Sequence, residues 1–240
     1  MGKAIEFDNV TIRKPDRVLL KNLNMVINKG DRYAFLGPNA IGKTLILELL
    51  SLGCSNELCT RYKGLVVEGK ITDKDGQDLL DPCTRRKIAY VTQNEDFYRG
   101  STVYDEAESA CNAIGIELDE EKFDYYLHEF KISDKKNVKI KNNVSTGEGK
   151  IIHLIFGLLK LEACNIMLLD EPLNHLSFQN SKIFNRLMKE EIQKNPSLTV
   201  IMVTHCRAMD FVKQALVYVP ETKGLTVKEY TAYDCFNTMF

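Results

Sequence analysis

The residues with the clearest chemistry are Gly37-Pro38-Asn39-Ala40-Ile41-Gly42-Lys43-Thr44, which spell G-x-x-x-x-G-K-[ST] between an apolar run (Tyr33 to Leu36) and a segment with helical spacing (Lys43 to Leu52). Such a loop turns backbone N–H groups and a helix N-terminus toward phosphate oxygens, Lys43 adds a point charge, and the Thr44 hydroxyl can reach Mg²⁺. Further along, Ile166-Met167-Leu168-Leu169-Asp170-Glu171 is an apolar strand ending in two acids. A buried strand that delivers Asp170 at its C-terminal end can hold the water shell of Mg²⁺, because ligands gather at that edge of an α/β sheet. Glu171, one residue on, is placed to polarise an attacking water as general base. Read together, the two elements predict Mg²⁺-dependent chemistry on phosphate.

Both elements need a sheet to bring them together. The first thirty residues alternate apolar and polar side chains, as antiparallel strands do, and close on a turn at Lys29-Gly30-Asp31. Gly64 to Ile71 and Lys87 to Thr92 read as strands. From Thr102 to Phe130 the period turns helical, with Leu118, Phe123, Tyr126, Leu127 and Phe130 on one face, and this predicts a separate lobe. The chain then alternates: a helix near 148–162, a strand from Ile166 to Leu169, a helix from Phe178 to Ile192, a strand from Thr199 to Val203, and short strands between Ala215 and Tyr230. Strands alternating with helices imply a largely parallel sheet covered on both faces.

The 240 residues, 44% of them hydrophobic, suffice for one substantial core and a small appended lobe. A net charge of -1, from 32 basic and 33 acidic residues, supplies no overall field to draw in nucleic acid or anionic membrane. The 7 cysteines lack a C-x-x-C pair, which disfavours a disulfide frame or zinc site and fits a reducing cytoplasm. The start, MGKAIEFDNV, has no apolar signal core, and Glu6 stands where a myristoylation signal would want Ser or Thr. The most apolar run, Ile151 to Leu161, would span about 16 Å as a helix, well short of roughly 30 Å of bilayer hydrocarbon, so a buried core helix is expected. Lys131 to Asn143 is polar and rich in turn formers, and is expected to be a solvated loop.

In their order along nearly the whole chain, these elements resemble the ATP-binding cassette (ABC) ATPases. The resemblance implies a P-loop NTPase fold: a RecA-like mixed α/β sheet, an N-terminal antiparallel β subdomain and a helical signature lobe. It further implies one ABC ATPase domain over 1–240, with a catalytic core at about 1–93 and 163–240 and the lobe at about 94–162. The implied cofactors are ATP, held by residues 37–44 with Leu45, and Mg²⁺, held by Thr44, Asp170 and Gln93. Gln93, after KIAYVT, stands where the family has its Q-loop glutamine. Val144-Ser145-Thr146-Gly147-Glu148 resembles the signature L-S-G-G-Q, so Ser145, Gly147 and Glu148 would contact the γ-phosphate of a second cassette in a homodimer or heterodimer. His205, in VIMVTHC, matches the switch histidine and joins Glu171 and Gln93 as a catalytic group.

Several positions depart from the family pattern. Thr146 replaces the first signature glycine, Ala40 and Ile41 stand where Gly and a small residue are usual, Leu45 lacks a hydroxyl for the α-phosphate, and Ser177 replaces the D-loop Asp. Arg13-Lys14-Pro15 occupies the place of the adenine-stacking aromatic, where a basic side chain could lie over the base.

Two function classes follow. Residues 81–107 are similar to transporter cassettes, implying a transmembrane permease partner and a cytoplasmic position at the inner face of the membrane; Phe97 and Tyr98 would then meet a permease helix. Asp170-Glu-Pro-Leu-Asn-His-Leu176 is similar to the ABC-F factors, implying a soluble ATPase acting on the ribosome or another macromolecular complex, with nucleic acid or ribosome as a partner under that reading alone. Those factors carry two cassettes and a basic linker, which are not found here. No heptad run suggests the long coiled coil of a DNA-repair ATPase.

Overall fold

The computed structural model describes residues 2–84, 87–93, 97, 101–141, 143–204 and 209–230. In chain order its first elements are β1 (Lys3–Lys14), β2 (Arg17–Asn28), β3 (Arg32–Leu36), α1 (Lys43–Leu52), α2 (Asn56–Arg61), β4 (Val66–Asp73) and β5 (Ile88–Val91). Then follow α3 (Val103–Asn112), α4 (Glu120–Glu129), α5 (Thr146–Leu159), β6 (Ile166–Asp170), α6 (Phe178–Lys194), β7 (Thr199–Val203), β8 (Gln214–Val219) and β9 (Gly224–Glu229).

The alternation of the first strands is resolved into a three-stranded antiparallel sheet ordered β2-β1-β4. The second sheet is ordered β5-β6-β7-β3-β8-β9 and is parallel except for the β8–β9 hairpin. Its central strands carry apolar side chains toward both faces because both faces are covered. Ala34 and Leu36 of β3, Met167 and Leu169 of β6, and Val200 and Met202 of β7 enter a core shared with α3, α4 and α5. Their neighbours Tyr33, Phe35, Ile166, Leu168, Ile201 and Val203 enter a second core with α1 and the antiparallel sheet. The alternation along each strand thus splits one sheet between two cores.

The helices obey local capping chemistry. Thr102 and Asp105 form a capping box on α3, Asp119 caps α4, and Ser145 and Glu148 form a capping box on α5. The apolar run 151–161 lies within α5 and the 3₁₀ turn Lys160–Glu162 after it, and α5 approaches the sheet so closely that a Cβ on Gly157 would stand 2.5 Å from Val91 Cγ2. No helix among the described residues is long and apolar enough to cross a membrane.

Two features differ from the sequence expectation. Helix α2 was not anticipated, since six residues between turns carry too little periodicity to register, although Ser55 caps it and Glu57 and Arg61 pair across one turn. The polar stretch after α4 is a loop but not wholly solvated: Ile132 and Ile140 are buried in the lobe core, Ser133–Lys135 form a 3₁₀ turn, and Lys139 bridges to Thr102. Two apolar side chains among lysines were enough to anchor it.

Candidate functional site

The phosphate loop follows from the end of β3. Gly42 adopts φ 99° as the residue preceding α1, a left-handed conformation that lets the loop turn into the helix with its N–H groups facing outward. Lys43 begins α1 and is nearly buried, with its ammonium donating to the carbonyls of Gly37 at 2.8 Å and Pro38 at 2.9 Å. Burial lowers the Lys43 pKa, while Glu171 and Asp170 oppose that shift. The lysine is therefore held across its own loop, facing the two acids.

Those acids arrive on β6, two strands from β3. Asp170 ends the strand with both carboxylate oxygens buried and without a hydrogen-bond partner. Burial raises its pKa, the neighbouring Thr44 hydroxyl opposes this, and Glu171 and Glu48 add to the rise. Two orphaned anionic oxygens in the interior are costly unless a cation or its water shell meets them. Glu171 is also buried, at φ 48°, with its N–H donating to Val203 at the end of β7. A cleft of about 340 Å³ collects Asn39, Ala40, Gly42, Lys43, Thr44 and Leu45 with Gln93, Asp170 and Glu171. Pro38 is exposed on the loop, Ile41 half-buried and Gly37 buried beneath it.

A sequence model of the ABC transporter family matches residues 20–174. The chain belongs to that family, as an ATPase cassette. Over 207 residues it is 28% identical to the Fe(3+) ions import ATP-binding protein FbpC of Fusobacterium nucleatum, an alignment covering 85% of this chain and 52% of that protein. It is 29% identical over 205 residues to the phosphate import ATP-binding protein PstB 2 of a Synechococcus species, covering 82% of this chain and 74% of that one. The chain thus spans about half the length of the first relative. A solved ATP-binding subunit of an ABC transporter superposes with a TM-score of 0.75 at 18% identity, over 98% of this chain and 94% of the other.

The segment that resembles the family signature does not line this cleft. Ser145, Gly147 and Glu148 are not among the described residues lining the cleft. They open α5, a fourteen-residue helix with an exposed N-terminus. Glu148 accepts from Ser145 N and Oγ, both at 2.8 Å, and pairs with Lys135 at 3.2 Å. These contacts hold its carboxyl below the usual range, the Ser145 N–H foremost, so Glu148 shapes the helix start with the same oxygens a ligand would need. The segment before α6 runs close by: a Cβ on Gly147 would meet the His175 carbonyl at 3.3 Å. Ser177, in place of the usual Asp, caps α6 by accepting from Asn180 N.

Gln93 lies at the cleft, and Lys150 of α5 donates to the carbonyls of Thr92 at 2.9 Å and of Gln93 at 3.2 Å, an arrangement the sequence did not suggest. His205 and Tyr98 fall outside the described residues. Phe97 is half-buried: its ring packs edge-on against Phe156 at 6.2 Å and His153 at 6.3 Å, at the border of the lobe core, where α5 offers an apolar face. Arg13 likewise pairs with Glu68 across the antiparallel sheet, leaving Lys14 as the basic side chain beside the cleft at that end of β1. Tyr62, just past α2, lines the cleft as well and went unnoticed in the sequence, where nothing links it to the loop eighteen residues earlier.

Proposed function

We propose that this cassette binds and hydrolyses ATP as the nucleotide-binding subunit of an ABC transporter, working with a second cassette and a separate membrane permease. The observation that carries the reading is the single cleft in which Asp170's two unpartnered oxygens face Thr44, Lys43 and Glu171. Residues 37–45 cradle the phosphates through backbone N–H groups, and the Lys43 ammonium exchanges its loop carbonyls for β- and γ-phosphate oxygens. Thr44, Asp170 and Gln93 would hold Mg²⁺, which neutralises charge developing on the phosphate oxygens. Glu171 orients the attacking water and takes its proton; Gln93 and His205 complete the surroundings of the γ-phosphate. Ser145 and Gly147 serve the γ-phosphate of the partner cassette, because they are absent from the lining of their own cleft and open a helix whose N-terminus is exposed. The import-protein names of FbpC and PstB 2 support the transporter assignment, and a location at the inner face of a membrane follows from a permease partner.

The test is Glu171→Gln. The variant is expected to bind Mg-ATP with parental affinity, to lose turnover by about a hundredfold or more, and to accumulate as a dimer in light scattering. Hydrolysis at the parental rate removes Glu171 from the mechanism; ATP binding without dimerisation points to a different chain as the second cassette.

A further inference from the structure

The cleft that holds the phosphate loop extends past it to Lys14, Arg17 and Tyr62. Among the described residues lining it, Tyr62 carries the one aromatic ring. The ring is fixed relative to the loop. Tyr62 caps α2 with its N–H on the Leu58 carbonyl at 2.9 Å, and its neighbour Arg61 is ion-paired to Glu57 on α2 and to Glu48 on α1, one helical turn beyond Thr44. Glu48 is nearly buried, so α2 is latched against the helix that starts the phosphate loop. Lys14 extends from the end of β1 and places its ammonium 4.8 Å from the Tyr62 ring centroid. The other basic groups nearby are engaged: Arg13 with Glu68, and Arg17 with the Ala40 carbonyl at 2.9 Å.

We propose that Tyr62 and Lys14 form the base-binding wall of this site, and that the wall accepts guanine as well as adenine nucleotides. This rests on the phosphate-loop reading above. A flat apolar ring recognises any purine by its face, and such stacking is stronger than the partly exposed cation–π contact it would displace. The Lys14 stem is long enough for its ammonium to swing from the ring to the edge of an inserted base. An ammonium only donates. Guanine offers two acceptors on one edge, N7 and O6, whereas adenine offers N7 beside an amino donor. Lys14 therefore favours guanine while Tyr62 is indifferent, and a site so built holds ATP and GTP within about tenfold of one another.

The test is isothermal titration with ADP, GDP and pyrophosphate, none of which depends on turnover, for the parent, Tyr62→Ala, Tyr62→Phe and Lys14→Ala. Parental ADP and GDP affinities within about tenfold of each other are expected. Tyr62→Ala should weaken both nucleotides about tenfold and leave pyrophosphate unchanged, which also shows that the phosphate loop is folded. Tyr62→Phe should match the parent, and Lys14→Ala should weaken GDP more than ADP. Unchanged nucleotide affinity in Tyr62→Ala, or pyrophosphate weakened in parallel, overturns the role of the ring. Equal losses of ADP and GDP in Lys14→Ala overturn the role of the ammonium. A parent that binds none of the three overturns the phosphate-loop reading itself.

Discussion

Ala40 holds φ 64° at the crest of the phosphate loop, a left-handed conformation that costs an L-residue of order 1 kcal/mol. Its side chain is exposed, so no packing is lost if the methyl is removed. Ala40→Gly is predicted to stabilise the protein by about 1 kcal/mol, or a rise of roughly 3 °C in melting temperature for a chain of this size, read by circular dichroism on the nucleotide-free protein. An unchanged or lower midpoint would show that the loop relaxes around the methyl. The loop was legible from sequence because its demands are local: a residue able to turn at position 42, a lysine and a hydroxyl in consecutive places. Asp170 and Glu171 were legible for a related reason, since an apolar run ending in acids already describes a buried strand reaching a polar edge. Ser145-Thr-Gly-Glu148 carried two messages at once. It resembles a nucleotide signature and also spells S-x-x-E, the capping box that the structure forms. Tyr62 was invisible, because its place beside Lys14 depends on α2 folding back along α1, held by Glu48 and Arg61 thirteen residues apart.

At the scale of elements, the alternation of strand and helix fixed the order of the pieces, whereas their joints depend on side chains that only the folded chain brings together. The joint between α5 and the end of β5 is the clearest. Lys150 is fully buried on the face of α5 that meets the sheet, and its ammonium sits on the Thr92 and Gln93 carbonyls. A buried cation is expensive unless satisfied, so these bonds bind the helix that begins at Ser145 to the segment that presents Gln93. Lys150→Met keeps the stem and removes the donors. The prediction is that this variant binds Mg-ATP as the parent does, hydrolyses it about tenfold more slowly, and exchanges the amides around residues 92–93 faster while those of α1 are unaffected. Hydrogen exchange read by mass spectrometry, beside steady-state turnover, measures both. Unaltered exchange around Gln93 would mean that the two carbonyls are held without the ammonium. His153, one turn further along α5, contributes differently: burial pushes its pKa down to about 3, so it packs as a neutral ring against Phe97 at ordinary pH and adds no pH dependence of its own.

For the whole molecule, the question is where force would leave the cassette. Beside the phosphate cleft opens a second hollow of about 650 Å³, walled by Glu57, Arg61 and Tyr62 of the α2 region, Tyr90 and Gln93 at the end of β5, and His153 of α5. It lies between the half carrying the phosphate loop and the half carrying α5, and shares Thr44, Tyr62, Gln93 and Asp170 with the first cleft. A permease helix lodged there would touch both halves and residues proposed to meet the γ-phosphate. A rim side chain to change is Glu57, which is exposed and lies outside the phosphate machinery. Glu57→Arg reverses a charge at the mouth and sets it against Arg61. The predicted result is that the native chain fractionates with membranes in a lysate at both low and high salt, and that Glu57→Arg shifts to the supernatant while still binding pyrophosphate at the phosphate loop. Recovery of the native chain with ribosomes, released as salt rises, would instead fit contacts to a phosphate backbone, which weaken steeply as counterions are added. That outcome would replace the permease with a ribonucleoprotein partner, and a net charge of -1 would then require the contact to be made by a local basic patch rather than by the molecule's overall field.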